Sequence, residues 1–162
     1  DQWKNSREAG QCFALSWRSE LSESGNQLLI EAAKVARLRS VAPFSNFRVG
    51  AALQTAAGKV FTGCNVESAS YGLTVCAERV AIWKALSEGE RDFTDLVVVA
   101  DTEALTPPCG TCRQIIWEFA KHATIVLANL RGQREEVHIL DLLPRAFDAR
   151  FLKDAARETD RR

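Results

Sequence analysis

Two short stretches hold the residues that could do chemistry. "VCAER" (75–79) places a cysteine two residues ahead of a glutamate, and "PPCGTCRQ" (107–114) places two cysteines three apart, opened by prolines and followed by an arginine. A Cys-x-x-Cys pair alone is compatible with a disulfide, a redox dithiol or half of a metal site. Together with Cys76, Cys109 and Cys112 make a set of three thiolates. Such a set suits Zn²⁺, one ion per chain, and a fourth position left to water marks a catalytic rather than a structural centre. Zinc with three thiolates carries a formal charge of about −1, which opposes ionisation of that water. Compensation is available from the N–H groups at helix starts. Arg79 and Arg113 each follow a cysteine and could donate hydrogen bonds to sulfur. Glu78 is too close along the chain to chelate easily beside Cys76. It can reach a water on the same metal, take its proton and return it to a leaving group.

Other readings of these residues stand beside this one. A redox dithiol at 109–112 gives no task to Cys76 or Glu78. A structural zinc module needs a fourth ligand, for which Cys64, His122 and His138 are the candidates. Glu78 in a first helical turn could be only a dipole partner, and His122 lies where a histidine serves a helix C-terminus. His138 alternates with Val137 and Ile139 and reads as the exposed face of a strand. Cys12 and Cys64 read as small apolar fillers, and Trp83 and Trp117 as core or subunit-contact residues.

The elements that must position the thiols follow from periodicity. Residues 1–25 have no sustained period and read as an N-terminal extension. A helix is expected from about Asn26, with Leu28, Leu29, Ala32, Val35, Ala36 and Leu38 near one face, ended by Pro43. "FRVGAALQT" (47–55) and "KVFTGCNV" (59–66) read as a hairpin turned at Gly58. "CAERVAIWKALSEG" (76–89) reads as a helix apolar around most of its circumference, hence buried, and stopped by Gly89. "DLVVVAD" (95–101) is a continuous apolar run, the mark of a strand covered on both faces. A third helix begins near Gly110, "TIVLANL" (124–130) is another buried strand, "EEVHI" a last strand and "LDLLPRAF" a short helical turn broken by Pro144. Residues 151–162 form a charged, solvated tail.

Helices alternating with buried strands imply a sheet between helical layers. Crossover helices make the later strands parallel, while the first two form an antiparallel hairpin. In an open sheet, helix starts reached from strand C-terminal ends gather on one edge. That gathering is what lets Cys76, Cys109 and Cys112 meet.

Composition limits the alternatives. The chain has 162 residues, long enough for a core without disulfide staples. Lys plus Arg and Asp plus Glu number 21 each, so the broad basic footprint of a phosphate-binding nucleic-acid protein is lacking. No run of about 18 apolar residues marks a membrane span. Five cysteines in a chain without a signal-like start argue for unpaired thiols or metal ligands and a reducing, cytoplasmic setting. A chain that begins at Asp1 and has no methionine reads as a processed product.

With these motifs on the page, the chain resembles the zinc-dependent cytidine deaminases, whose zinc, separate glutamate and PCxxC half are a recognised class pattern. The similarity runs through "APFSNFRVGAAL", "GCNVESASYGLTVCAER", "SEGERDF", "PCGTCRQ" and "LLPRAF", about residues 26 to 148. The Cys-Ala-Glu form of the first half resembles the branch acting on free nucleosides. The resemblance implies an α/β fold of three α/β/α layers with a five-stranded mixed sheet, and a deaminase domain over 26–150. It implies zinc on Cys76, Cys109 and Cys112, and proton shuttling by Glu78. The N–H of Ala77 would hold the pyrimidine carbonyl, Asn65 and Glu67 the ribose 3′-hydroxyl. Phe47 would stack on the base, Phe147 would close the pocket from a neighbouring subunit, and Tyr71 would lie near a subunit boundary and the sugar. The short members are homotetramers. The implied activity is hydrolysis of cytidine and 2′-deoxycytidine to uridine, 2′-deoxyuridine and ammonia, in pyrimidine salvage. A modified cytidine or a nucleoside antibiotic is the alternative substrate. Asn65 and Glu67, two apart, can share one face and form a fork for hydroxyls; equally, Asn65 could be a turn residue and Glu67 a solvated charge. The sequence departs from the family pattern at Ser68 and Pro107.

Overall fold

The computed structural model describes residues 26–152. The expected N-terminal extension, Cys12 and nearly all of the charged tail lie outside the described residues. Strand β3 (Phe93–Ala100) stands in the middle of a five-stranded sheet, between the β2-β1 and β4-β5 pairs. Leu96 to Ala100 are buried throughout, as a strand covered on both faces requires. β1 (Val49–Thr55) and β2 (Val60–Cys64) pair as an antiparallel hairpin. Its turn uses Gly58 at φ 82°, a region glycine enters without a Cβ clash. β1 is antiparallel to β3, β3 is parallel to β4 (Thr124–Asn129), and β4 is antiparallel to β5 (Arg134–Val137). The sheet is therefore mixed. The helical crossover makes β3 and β4 parallel as expected, whereas β5 returns by a tight turn and runs antiparallel.

Helix α1 (26–37) covers one face, where Leu29, Ile30 and Ala33 pack on Ala52, Val97, Val99, Val126 and Ala128. Helices α2 (Ala77–Ser87), α3 (Gly110–Phe119) and α4 (Ile139–Leu142) cover the other, around Leu53, Leu96, Val98, Ile125 and Leu127. These are the three α/β/α layers expected of the fold. Two glycines set how closely the layers approach. A Cβ on Gly50 would lie 2.0 Å from the Ala33 carbonyl oxygen of α1, and one on Gly63 would lie 2.3 Å from the Ala77 carbonyl oxygen of α2. The hairpin thus carries one bare backbone patch for each helix, on opposite faces.

Three expectations from the sequence are corrected. On α1, Leu29, Ile30, Ala33 and Ala36 are buried, while Leu28 and Val35, and Leu38 just past the helix end, are exposed. The helix has two adjacent apolar stripes, and the close approach at Gly50 selects the one containing Ala33. On α2, burial is confined to Ala77, Glu78, Ala81, Ile82 and Ala85, and Trp83 is half exposed. His138 is not on a strand face. It is the N-cap of α4, its Nδ1 accepting the Leu140 N–H while Asp141 reaches back to the His138 N–H.

Candidate active site

Both β2 and β3 run antiparallel to β1, so their C-terminal ends leave the sheet at the same edge. From β2 the chain passes through 65–75 to Cys76, the N-cap of α2, and from β3 through 101–109 to Cys109, the N-cap of α3. Both caps are extended, with φ/ψ of −75°/156° and −66°/166°. Cys112 follows in the first turn of α3 and is fully buried. The three Sγ atoms lie within 4.8 Å of one another, with Cys76 and Cys109 3.7 Å apart. Tetrahedral Zn–S bonds of about 2.3 Å demand S···S separations near 3.8 Å, so the donor set fits zinc in both chemistry and spacing. Cys64, His122 and His138 stand outside this group. Cys64 instead points its thiol at the Arg39 carbonyl.

Glu78 is the second residue of α2 and only 4% exposed. Burial pushes its carboxyl up to about 7, reinforced by the neighbouring Cys76 sulfur. A carboxyl near neutrality can both accept and return a proton at physiological pH. The Cys76 thiol is drawn down to about 5, first by the hydrogen bond from Cys112 and then by Arg79. The same shared proton, together with burial, pushes Cys112 up. Ala77 occupies the first position of α2, where no carbonyl of its own helix can take its N–H.

The two arginines part company. Arg79 Nη2 donates to the Thr74 carbonyl at 2.9 Å and lies 3.8 Å from Cys76 Sγ, with the guanidinium 5.6 Å over the Trp83 ring. Arg113, expected at a sulfur, spans two carbonyls instead: Nε to Pro108 and Nη1 to Leu142, each at 2.8 Å. It ties the residue before Cys109 to the end of α4. Nothing in the sequence pointed to Leu142, because that contact joins segments 29 residues apart.

Asn65 and Glu67 both reach back to the 40–49 segment. Asn65 is buried; its Oδ1 accepts from Val49 N–H at 2.8 Å and Ser40 hydroxyl at 2.6 Å, and its Nδ2 donates to the Phe47 carbonyl at 2.8 Å. Glu67 accepts from the backbone N–H groups of Phe44 and Ser45 and from the Ser45 hydroxyl. The Ser45 hydrogen bond, with the Phe44 N–H, holds its carboxyl below the usual range. Neither residue is a simple turn former or a solvated charge. Between them Asn46 adopts φ 57°, a left-handed conformation that asparagine tolerates. Phe44, Ser45, Glu67, Tyr71 and Thr74 line a cleft of about 400 Å³, with Phe44 and Tyr71 edge to face at 5.9 Å. Phe47 is half exposed, its N–H donating to the hydroxyl of Ser45 at 2.9 Å. Phe147 belongs elsewhere, to a cleft with Trp117 and Leu152, its ring stacked 5.7 Å from Phe151. Within one chain, then, the thiols, Glu78, Arg79 and Ala77 come together, Asn65 and Glu67 hold the 40–49 segment with Glu67 also lining the Phe44–Tyr71 cleft, and Phe147 lines a different cleft, its carbonyl accepting from Gln114 Nε2 of α3 at 2.7 Å.

Residues 23–128 match the family model described as the cytidine and deoxycytidylate deaminase zinc-binding region. The chain is 49% identical over 129 residues to a cytidine deaminase of Halalkalibacterium halodurans, covering 79% of this chain and 98% of that protein. A crystal structure of cytidine deaminase from Burkholderia pseudomallei superposes with a TM-score of 0.73 at 51% identity, over 75% of this chain and 98% of that one. A blasticidin-S deaminase of Bacillus cereus is 33% identical over 104 residues, 59% of this chain and 74% of that protein.

Proposed function

The chain belongs to the cytidine and deoxycytidylate deaminase zinc-binding family, and from that premise we propose that it hydrolyses cytidine and 2′-deoxycytidine. The products are uridine or 2′-deoxyuridine and ammonia, a reaction of pyrimidine salvage. The observation that carries this reading is the convergence of three sulfurs at two helix starts with a buried carboxyl, raised to about 7, in the first turn of one of them. Cys76, Cys109 and Cys112 would hold one zinc ion. When bound, zinc supplies Lewis acidity that lowers the pKa of a water molecule joining it.

The chain's own groups account for the remainder. Glu78 takes a proton from the attacking water and delivers it to N3 of the pyrimidine. As C4 becomes tetrahedral, Glu78 takes the remaining proton of the former water from the new C4 hydroxyl and passes it to the amino nitrogen, which departs as ammonia while C4 keeps the oxygen as a carbonyl. The unpartnered N–H of Ala77 is suited to the pyrimidine carbonyl oxygen. Arg79 offsets the charge accumulated on Cys76. Asn65 and Glu67 form the sugar end of the site by fixing the Phe44–Phe47 segment, with Phe47 against the base and Tyr71 near the ribose. Arg113 serves the centre indirectly, through Pro108 and α4. Each active site takes Phe147 from another copy in a homotetramer, a reading supported by its place in a cleft other than the one lined by Glu67 and Tyr71 and by the exposure of Leu28, Val35, Trp83 and Phe147. The unpaired thiols accord with a reducing, cytoplasmic setting; among the described residues no helix is long and apolar enough to cross a membrane.

Ultraviolet spectroscopy tests the activity directly. Purified protein mixed with cytidine should convert its spectrum to that of uridine, while blasticidin S in a parallel reaction should turn over far more slowly. No change with cytidine would reject the proposal. Light scattering on the eluted protein tests the assembly, for which a monomer would be the contrary result.

A further inference from the structure

Asn129 ends β4, opposite Ala100 in the parallel register with β3. It therefore stands on the sheet edge from which the loops to Cys76 and Cys109 depart. It is 1% exposed, one of the few polar residues so deeply placed. Its Oδ1 accepts the backbone N–H groups of Arg131 and Gln133, each at 3.0 Å. Its Nδ2 donates to the carbonyls of Thr102 at 3.1 Å and Glu103 at 3.2 Å, and to Gln133 Oε1 at 2.6 Å. The amide thus uses its whole capacity, two lone pairs and two hydrogens, with one hydrogen shared. Its acceptor end holds the β4–β5 turn, and its donor end holds the first residues of the 101–109 loop. That loop is closed on itself by the Thr102 and Thr106 hydroxyls at 2.8 Å. Its far end is pinned where Arg113 Nε meets the Pro108 carbonyl, immediately before Cys109.

We infer that Asn129 is a positioning residue for the metal centre, anchoring the loop that delivers the Cys109 thiol to the other two. The inference rests on the reading of Cys109 as a zinc ligand. No side chain of similar size replaces it, because the anchor needs a donor toward the loop and an acceptor toward the turn at one buried point. Aspartate keeps the acceptor and presents a second acceptor to two carbonyls. The loop would then be released while the turn stays bonded.

Zinc release to a chelator, followed at a temperature below every melting transition, is the test. The zinc-loaded parent protein is compared with Asn129→Asp, Thr106→Val and Asn26→Ala. The last breaks a different buried amide contact, from Asn26 to Glu136 at 2.8 Å on the α1 side of the sheet. Asn129→Asp is expected to release zinc about tenfold faster, the usual scale for groups that orient metal ligands. Thr106→Val should move in the same direction by a smaller factor, and Asn26→Ala should match the parent. In cobalt-substituted protein, the sulfur-to-cobalt absorption should change in Asn129→Asp alone of the two asparagine variants. Release from Asn129→Asp within about twofold of the parent overturns the inference, as does an equal acceleration in Asn26→Ala. If Asn129→Asp does not fold, Thr106→Val decides by the same criterion. A parent that holds zinc but leaves cytidine unchanged sinks the deaminase reading alone, since the release comparison still decides this one; a parent that binds no zinc overturns both.

Discussion

Adding one methyl group at Gly63 should damage stability and the metal centre together. The Cβ of Gly63→Ala would stand 2.3 Å from the Ala77 carbonyl oxygen, 2.6 Å from the Ala81 nitrogen and 3.0 Å from Val80 Cβ. Two of these are backbone atoms of α2, so no side-chain rotation relieves the clash. Normal contact requires the helix start to retreat by roughly 1 Å, an overpacking shift of a kind that costs about 3 kcal/mol. For a domain of this size the melting temperature should fall by roughly 6–12 °C. Ala77 lies between Cys76 and Glu78, so the retreat also moves a ligand and the proton shuttle. A displacement of that size should lower kcat by about 100-fold in the protein that remains folded. Gly50→Ala is the control. It meets the Ala33 carbonyl at 2.0 Å and the Arg37 nitrogen at 2.6 Å, on the α1 face, and should melt early while the folded fraction turns over cytidine far better than Gly63→Ala. Calorimetry and the ultraviolet assay on both variants give the answer. Equal losses of kcat in the two, or an unchanged melting temperature in Gly63→Ala, would refute the link from close helix approach to site geometry.

Glu78→Gln should lower kcat by roughly 10²–10⁴-fold with zinc content by elemental analysis unchanged; loss of zinc in step with activity would instead make Glu78 part of the binding set. Arg79→Ala removes the Thr74 hydrogen bond, the stacking on Trp83 and the positive charge beside Cys76, and zinc affinity measured by chelator competition should drop about tenfold. The Glu67 carboxyl titrates below its ordinary value when folded, so its hold on the Phe44–Ser45 segment is present above the unfolded pKa and is lost only as pH falls through the lowered one. Amide exchange at Phe44 should accordingly remain protected at pH 5, and Ser45→Ala, which removes the largest cause of the depression, should bring the loss of protection to higher pH. Chelation of the metal should abolish activity and lower the melting temperature, and added zinc should restore both.

Much of this protein was fixed by local pattern. The run at 96–100 had to be a strand covered twice, and Gly58 had to turn the hairpin. Cys76, Ala77 and Glu78 had to open one helix as Cys109 to Cys112 opened another. These are statements about neighbours within one turn or one strand, where spacing alone decides. The tertiary structure decided what depended on distant segments. Gly50 selected which of two apolar stripes on α1 would face the sheet. Leu142 took the guanidinium of Arg113 that proximity along the chain had assigned to sulfur. The 44–49 segment claimed Asn65 and Glu67, and two loops claimed Asn129, a residue with no motif around it. Hydrogen-bond donors and acceptors are satisfied by whatever the folded chain brings within 3 Å, and a sequence carries no record of that proximity until the sheet and its layers are built.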